Sequence, residues 1–240
     1  MSRSASEIQQ SYYAETAGAY DAMHDGAESA HAWAINHLVS LVDEIDASNV
    51  LDVGTGTGRA LRAIQTRCPG VRFHGVEPVP EMIAVAVERH GIPAGAISVG
   101  SGDSLDHPLD SFDIVCEFGM LHHVGDPSAV VGEMLRVARR GIVISDDNRF
   151  GHGRPGARWI KLSLARAGLW PLAYRAIHRG KPYRLSEGDG LSYSYSVYDD
   201  LVQIAAWADE IQILAPGRST GSWLHPLLTS PHVVLVARRA

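Results

Sequence analysis

The stretch Val50-Leu51-Asp52-Val53-Gly54-Thr55-Gly56-Thr57-Gly58 constrains this chain more than any other, because a short apolar strand pattern runs straight into three glycines spaced two apart. Asn49 to Val53 reads as a buried parallel strand. Arg59 to Arg67, with Ala60, Leu61, Ala63 and Ile64 at helical intervals, reads as the helix after it. The glycines therefore occupy a strand-to-helix turn. Glycine takes positive φ and has no Cβ, so the turn can bend sharply and let a ligand press on bare backbone.

The same alternation continues downstream. Arg72 to Glu77, the stretch from Ile97, Phe112 to Phe118, Gly141 to Asp146, Glu210 to Leu214 and His232 to Ala237 carry strand patterns. Pro80 to Arg89, Ser128 to Arg139 and Val197 to Trp207 carry helical ones. Strands alternating with helices imply an α/β fold with a mostly parallel sheet covered on both faces, Rossmann-like and seven-stranded. A chain of 240 residues can bury one good core, and no repeat or low-complexity linker marks a second, so the expectation is one domain over 1–240. Cys68 and Cys116 fall at a helix end and in a central strand, with neither disulfide nor metal spacing. The first residues lack the apolar core of a signal peptide and no run of about 18 apolar residues occurs, which predicts a cytoplasmic protein.

Which ligand the turn takes depends on spacing. A dinucleotide fingerprint is G-x-G-x-x-G, with its last glycine allowing close helix packing; here that position is Arg59. The pattern is instead Asp52-x-Gly54-x-Gly56-x-Gly58, followed by an acid, Glu77, closing the second strand ahead of Pro78 and the helix with Met82. Next come Asp103-Ser104 in a glycine turn after the third strand, and Glu117-Phe118-Gly119-Met120-Leu121-His122-His123 ending the fourth. This order of motifs resembles the class I S-adenosylmethionine-dependent methyltransferases, clearly from about Tyr12 to Ile144 and in outline beyond.

The resemblance implies S-adenosyl-L-methionine as cofactor and a seventh strand inserted antiparallel beside the fifth. It places Asp52, Gly54, Thr55, Gly56 and Gly58 at the cofactor, with the Glu77 carboxylate on the ribose hydroxyls, Pro78 beside it and Met82 over the adenine. Asp103 and Ser104 would meet the adenine amino group, and backbone carbonyls at Glu117 and Phe118 the methionine amino group. Residues 1–45 would form N-terminal lid helices, bringing Tyr12 and Tyr20 to the cofactor while Tyr13 belongs to an apolar stripe. Methyl transfer mainly needs an aligned acceptor. Where the acceptor is a hydroxyl or protonated amine a base is also required, with His122, His123, Asp146 and Asp147 as candidates and His123 and Asp146 as the catalytic assignment. An NAD-dependent oxidoreductase is disfavoured by Arg59 and leaves Asp103 without a role.

The acceptor must be read from less regular segments. From Arg149 to Ser186 there are nine Lys and Arg and no Asp or Glu, so against a total of -6 the remaining residues sum to -15 (-6 minus 9). Apolar residues interleave, and breaks near Gly168 and Pro171 suggest two short helices within a basic amphipathic insertion spanning 149–196. Such an insertion suits a phosphate- or carboxylate-bearing acceptor, an anionic membrane surface or lipid acceptor, nucleic acid, or a lid packed on the domain or a second subunit. Net acidity disfavours nucleic acid as a partner. The loop Leu185–Ser196, with alternating tyrosines, fits either an acceptor-pocket wall or an edge strand. A second polar loop, Gly217 to His225, brings Trp223 and His225 into consideration, and His24 and His31 read as surface residues. The expected function is methyl transfer to oxygen or nitrogen of a small-molecule acceptor, including one bearing an acidic group, with a homodimer and a peripheral lipid contact left open. The alternatives are an RNA or protein methyltransferase and a non-catalytic cofactor-binding subunit.

Overall fold

A computed structural model describes residues 4–23, 28–216 and 221–240; His24 and Gly217–Thr220, read above, lie outside the described residues. In chain order the elements are α1 (Ala5–Thr16), α2 (Tyr20–Met23), α3 (Glu28–Glu44), β1 (Asn49–Val53), α4 (Arg59–Arg67), β2 (Arg72–Glu77), α5 (Pro80–Glu88), β3 (Ile97–Val99) and β4 (Phe112–Phe118). There follow α6 (Pro127–Val137), β5 (Ala138–Asp147), α7 (Pro155–Arg166), α8 (Trp170–Ile177), β6 (Tyr183–Ser186), β7 (Gly190–Tyr193), α9 (Leu201–Trp207), β8 (Glu210–Leu214) and β9 (His232–Arg238).

Seven strands form one sheet in the order β3-β2-β1-β4-β5-β9-β8. The first five are parallel, and β9 runs antiparallel between β5 and β8, as the family resemblance implies. Successive strand side chains point to opposite faces, and the sequence uses that alternation to build two cores. Leu51, Val115 and Ile142 pack with Val130 and Met134 of α6 and Ile204 of α9, whereas Val50, Ile114 and Val143 pack with Leu38 and Leu41 of α3 and Ile64 of α4. Each such fully buried side chain contributes about 1.5–3 kcal/mol. Strand order reverses between β1 and β4, and in open sheets of this kind the carboxyl ends beside that reversal frame the ligand crevice.

Local signals explain most boundaries. Ser4 and Glu7 form a reciprocal capping box that starts α1 earlier than the Tyr-rich stretch alone implies. Asp126 caps α6 by accepting from Ala129 N, with Pro127 in the first turn. The helix expected over Val197–Trp207 opens as a 3-10 turn, Val197–Asp200, because Ser196 and Asp199 cap that turn reciprocally. Gly168, at φ 71°, separates the two insertion helices, while Pro171 sits inside the first turn of α8 rather than between them. Of the alternating tyrosines, Tyr193 ends a separate two-stranded sheet, β6 with β7, that turns through residues 187–189, whereas Tyr195 lies beyond it, buried in the main core. Neither α7 nor α8 buries a residue, so the insertion is held largely by its polar contacts. Cys68 and Cys116 are buried and unpaired. No helix among the described residues is long and apolar enough to cross a membrane.

Candidate active site

The glycine turn does what its spacing requires. Gly54, Gly56 and Gly58 have φ of 72°, 57° and 81°. A Cβ on Gly54 would lie 2.5 Å from Met120 Cγ, so the turn after β1 and the loop after β4 pack backbone against side chain. Gly56 N donates to Glu77 Oε2 at 2.8 Å and Val79 N to Glu77 Oε1 at 3.0 Å. Burial nevertheless raises Glu77 to about 7, outweighing those two donors. Each oxygen keeps a free lone pair for a further donor. Asp52, fully buried beneath the turn, is raised to about 7 as well, again chiefly by burial.

Above Glu77 lies a cavity of about 200 Å³ that gathers Gly54, Gly56, Glu77, Pro78, Met82, Asp103, Phe118 and His123, closed by Gln9, Tyr13 and Tyr20 from the N-terminal helices. Nine of the sequence-assigned site residues therefore meet in one place, counting Tyr20. Others do not reach its wall. Tyr12 turns away and donates its hydroxyl to Glu187 O at 2.8 Å, and Tyr13, assigned to an apolar stripe, packs against the cluster of Ala17, Val79, Met82 and Val85 and also lines the cavity. Asp52 and Thr55 line a smaller crevice under the turn with His31, which is half-buried there rather than at the surface. Gly58 packs on Ala86 and Ile92, and Ser104 bridges back to Ser101. Glu117 is wholly buried, accepting from Met120 N and Ser145 N at 3.0 Å each, and burial, reinforced by Asp146, pushes its carboxyl well up. Trp223 is exposed and His225 bonds Thr229, neither at the cavity.

The histidines after β4 form a cluster with an acid that only folding supplies. His123 Nδ1 donates to Leu191 O at 2.6 Å, which leaves Nε2 3.4 Å from Asp189 Oδ1. His122 Nδ1 lies 2.7 Å from Asp146 and its Nε2 3.6 Å from Asp189 Oδ2. Burial alone would lower His122, but Asp146 and Asp189 outweigh it and hold the imidazole well above its usual value. Asp189 is correspondingly depressed, its partial burial overcome by the two histidines. Asp146 must be corrected as a base: it is wholly buried, accepts from Leu121 N at 2.8 Å and from His122, and orients that ring. Asp147 pairs with His152 at 2.7 Å. Asp189, Gln9 and Met120 were not assigned from sequence; for Asp189 the only signal was the acidic, tyrosine-bearing loop. His122, His123 and Asp189 also have the donor chemistry and proximity to hold a metal ion, their ligand atoms lying within 4.8 Å of one another.

Comparison with known proteins agrees with this geometry. Residues 50–141 match the family described as "Methyltransferase domain". The chain is 33% identical over 121 residues to a phosphatidylethanolamine N-methyltransferase of Cereibacter sphaeroides, covering 49% of this chain and 58% of that one. It is 37% identical over 95 residues to a demethylmenaquinone methyltransferase of Deinococcus radiodurans, covering 38% and 39%. Both matches span less than two thirds of those relatives' lengths. Among solved structures, magnesium protoporphyrin IX methyltransferase from Synechocystis PCC 6803 with bound SAH superposes with a TM-score of 0.65 at 14% identity, over 99% of this chain and all of that one, which shows the shared fold.

Proposed function

We propose that this chain is a class I S-adenosylmethionine-dependent methyltransferase that transfers the methyl group of S-adenosylmethionine to oxygen or nitrogen of a small-molecule acceptor, a reading supported by the match of residues 50–141 to a methyltransferase domain and by the shared fold. The observation that carries this reading is Glu77, a buried carboxylate that faces the cavity beside bare glycine backbone and has a lone pair to spare on each oxygen. Those groups fit a ribose diol, whose two hydroxyls each need an acceptor. When bound, the cofactor supplies an activated methyl on sulfonium sulfur, so that the acceptor–carbon bond forms as the sulfur–carbon bond breaks.

The residues then divide the work. Glu77 accepts the ribose hydroxyls, Met82 and Tyr20 offer apolar and aromatic cover, and Asp103, exposed at the cavity wall, offers an acceptor for an exocyclic amine. His123 takes the acceptor's proton on Nε2, since its Nδ1–H is committed to Leu191 O and fixes the tautomer. Asp189, 3.4 Å from that same Nε2, stabilises by its charge the imidazolium that forms, while Leu191 O holds the Nδ1–H on the opposite side of the ring. Gln9 and Tyr13 close the cavity from the N-terminal side and exclude water.

Calorimetry with S-adenosylhomocysteine and, as control, NAD tests the cofactor half of the reading. Saturable binding of the first and none of the second is expected; the reverse overturns it. Methyl-labelled cofactor then separates enzyme from subunit, because a cofactor-binding subunit binds yet transfers to no acceptor offered.

A further inference from the structure

A second cavity, of about 510 Å³, borders the histidine cluster through His122 and Asp189 and shares Tyr193 with the first. It is roofed by Ile160 and Leu164 of α7 and by Trp170, Tyr174 and Ile177 of α8. These helices bury nothing, and Ile160 and Ile177 stand 61% and 68% exposed, so the apolar faces around this cavity are not consumed by the protein's own core. Three cations also line it, of which Arg149 is paired with Asp199. Lys161 donates only to the backbone carbonyls of Arg149 and His152, and Arg184 donates from Nε to Ser192 Oγ at 2.9 Å. Neither makes an ion pair among the described residues. Lys161 is partly desolvated, and burial, with Arg158 and Arg149 against the opposing pull of Asp147, lowers its pKa.

A volume of this order suits a drug-sized molecule, and the lining specifies its chemistry. We propose that this cavity is the acceptor site and that its occupant is an apolar molecule bearing one anionic group, with the anion at Lys161 and Arg184 and the methyl-accepting atom at the His122–His123–Asp189 end. The assignment rests on the methyl-transfer reading and adds the class of acceptor to it. The same chemistry is offered by a free aromatic acid and by an anionic lipid.

The test uses the full chain and two probes. In calorimetry, 1-hydroxy-2-naphthoate is expected to bind at least tenfold more tightly than 1-naphthol, which lacks the anion. Ile177→Glu places a negative charge at an already exposed lining position and should weaken the naphthoate at least tenfold while leaving S-adenosylhomocysteine affinity unchanged. Lys161→Met should do the same and Lys161→Arg should restore binding, which a merely structural lysine would not predict. Co-sedimentation with phosphatidylglycerol but not phosphatidylcholine vesicles, abolished by Ile177→Glu, would support the proposal with a lipid acceptor; naphthoate binding without sedimentation would support it with a free acid. S-adenosylhomocysteine binding with neither probe bound, or probe binding indifferent to Ile177→Glu, overturns the acceptor site alone. Failure of S-adenosylhomocysteine to bind overturns the methyl-transfer reading and this inference together.

Discussion

At the scale of single residues, the ribose role proposed for Glu77 calls for the ionised carboxylate, yet burial holds it at about 7. A ligand that prefers the carboxylate therefore has to drive a proton off below that pH. The affinity for S-adenosylhomocysteine should rise up to about tenfold per pH unit as pH climbs toward 7 and level off above it. Calorimetry from about pH 5.5 to 8.5 checks this, and Glu77→Gln should bind more weakly with that slope gone. His123→Ala should cut turnover by about 100-fold if Nε2 takes the acceptor's proton, with S-adenosylhomocysteine affinity preserved; a near-normal rate would return His123 to a structural role. Glu77 was legible because an acid closing the second strand lies a fixed distance from the glycine turn. Asp189 was not, because its place beside His123 depends on how a hairpin 66 residues downstream folds back, and no periodicity encodes that distance.

At the scale of elements, α1, the β6–β7 hairpin and the histidine loop form one latch. Gln9 is buried at their junction, its Oε1 accepting from Leu191 N at 2.5 Å, while Tyr12 reaches Glu187 O. Gly190, at φ 66°, lets them close up, since a Cβ there would lie 2.6 Å from Gln9 Oε1 and 2.8 Å from Tyr12 Cδ1. Gln9→Ala leaves a buried backbone N–H without its acceptor, a loss of about 1–3 kcal/mol. Hydrogen exchange should show α1 and residues 183–193 opening faster while β1, β4 and β5 keep their protection; uniform loss of protection would mean that the latch is part of the global fold. The helical nature of α7 and α8 could be read from their Pro and Gly punctuation, but their packing could not. Helices that bury no residue impose no apolar face on the sequence that names a neighbour.

At the scale of the molecule, the seven strands were readable because each buried parallel strand must be apolar on both faces, as Val50-Leu51, Ile114-Val115 and Ile142-Val143 are, whereas their order was not, apart from the place of the last strand that the family resemblance implies. The same burial leaves Asp52 and Glu77 inside the crevice, both raised to about 7, and sets the stability of the empty protein against pH. Between their ordinary values near pH 4 and about 7 the folded state binds more protons than the unfolded chain, so stability falls as pH rises through that window. For Glu77 the loss is on the order of 3 kcal/mol. Asp146, Asp189 and Asp113 are depressed and act oppositely, their contribution complete above about pH 4 and lost on further acidification. His122, raised by its acidic neighbours, contributes fully below about 6.5 and loses that contribution as pH climbs through its elevated folded value. The melting temperature of the ligand-free protein is therefore expected to peak near pH 5 and decline toward pH 8. Glu77→Gln should remove part of the decline up to pH 7, Asp52 and Glu117 supplying the rest, and saturating S-adenosylhomocysteine should raise the neutral side most, because it binds only the folded state and prefers ionised Glu77. Scanning calorimetry across that range decides the matter: a flat profile, or one that rises to pH 8 in the absence of ligand, would show that these carboxylates are not held protonated by burial and would remove the basis for the pH-dependent affinity expected at Glu77.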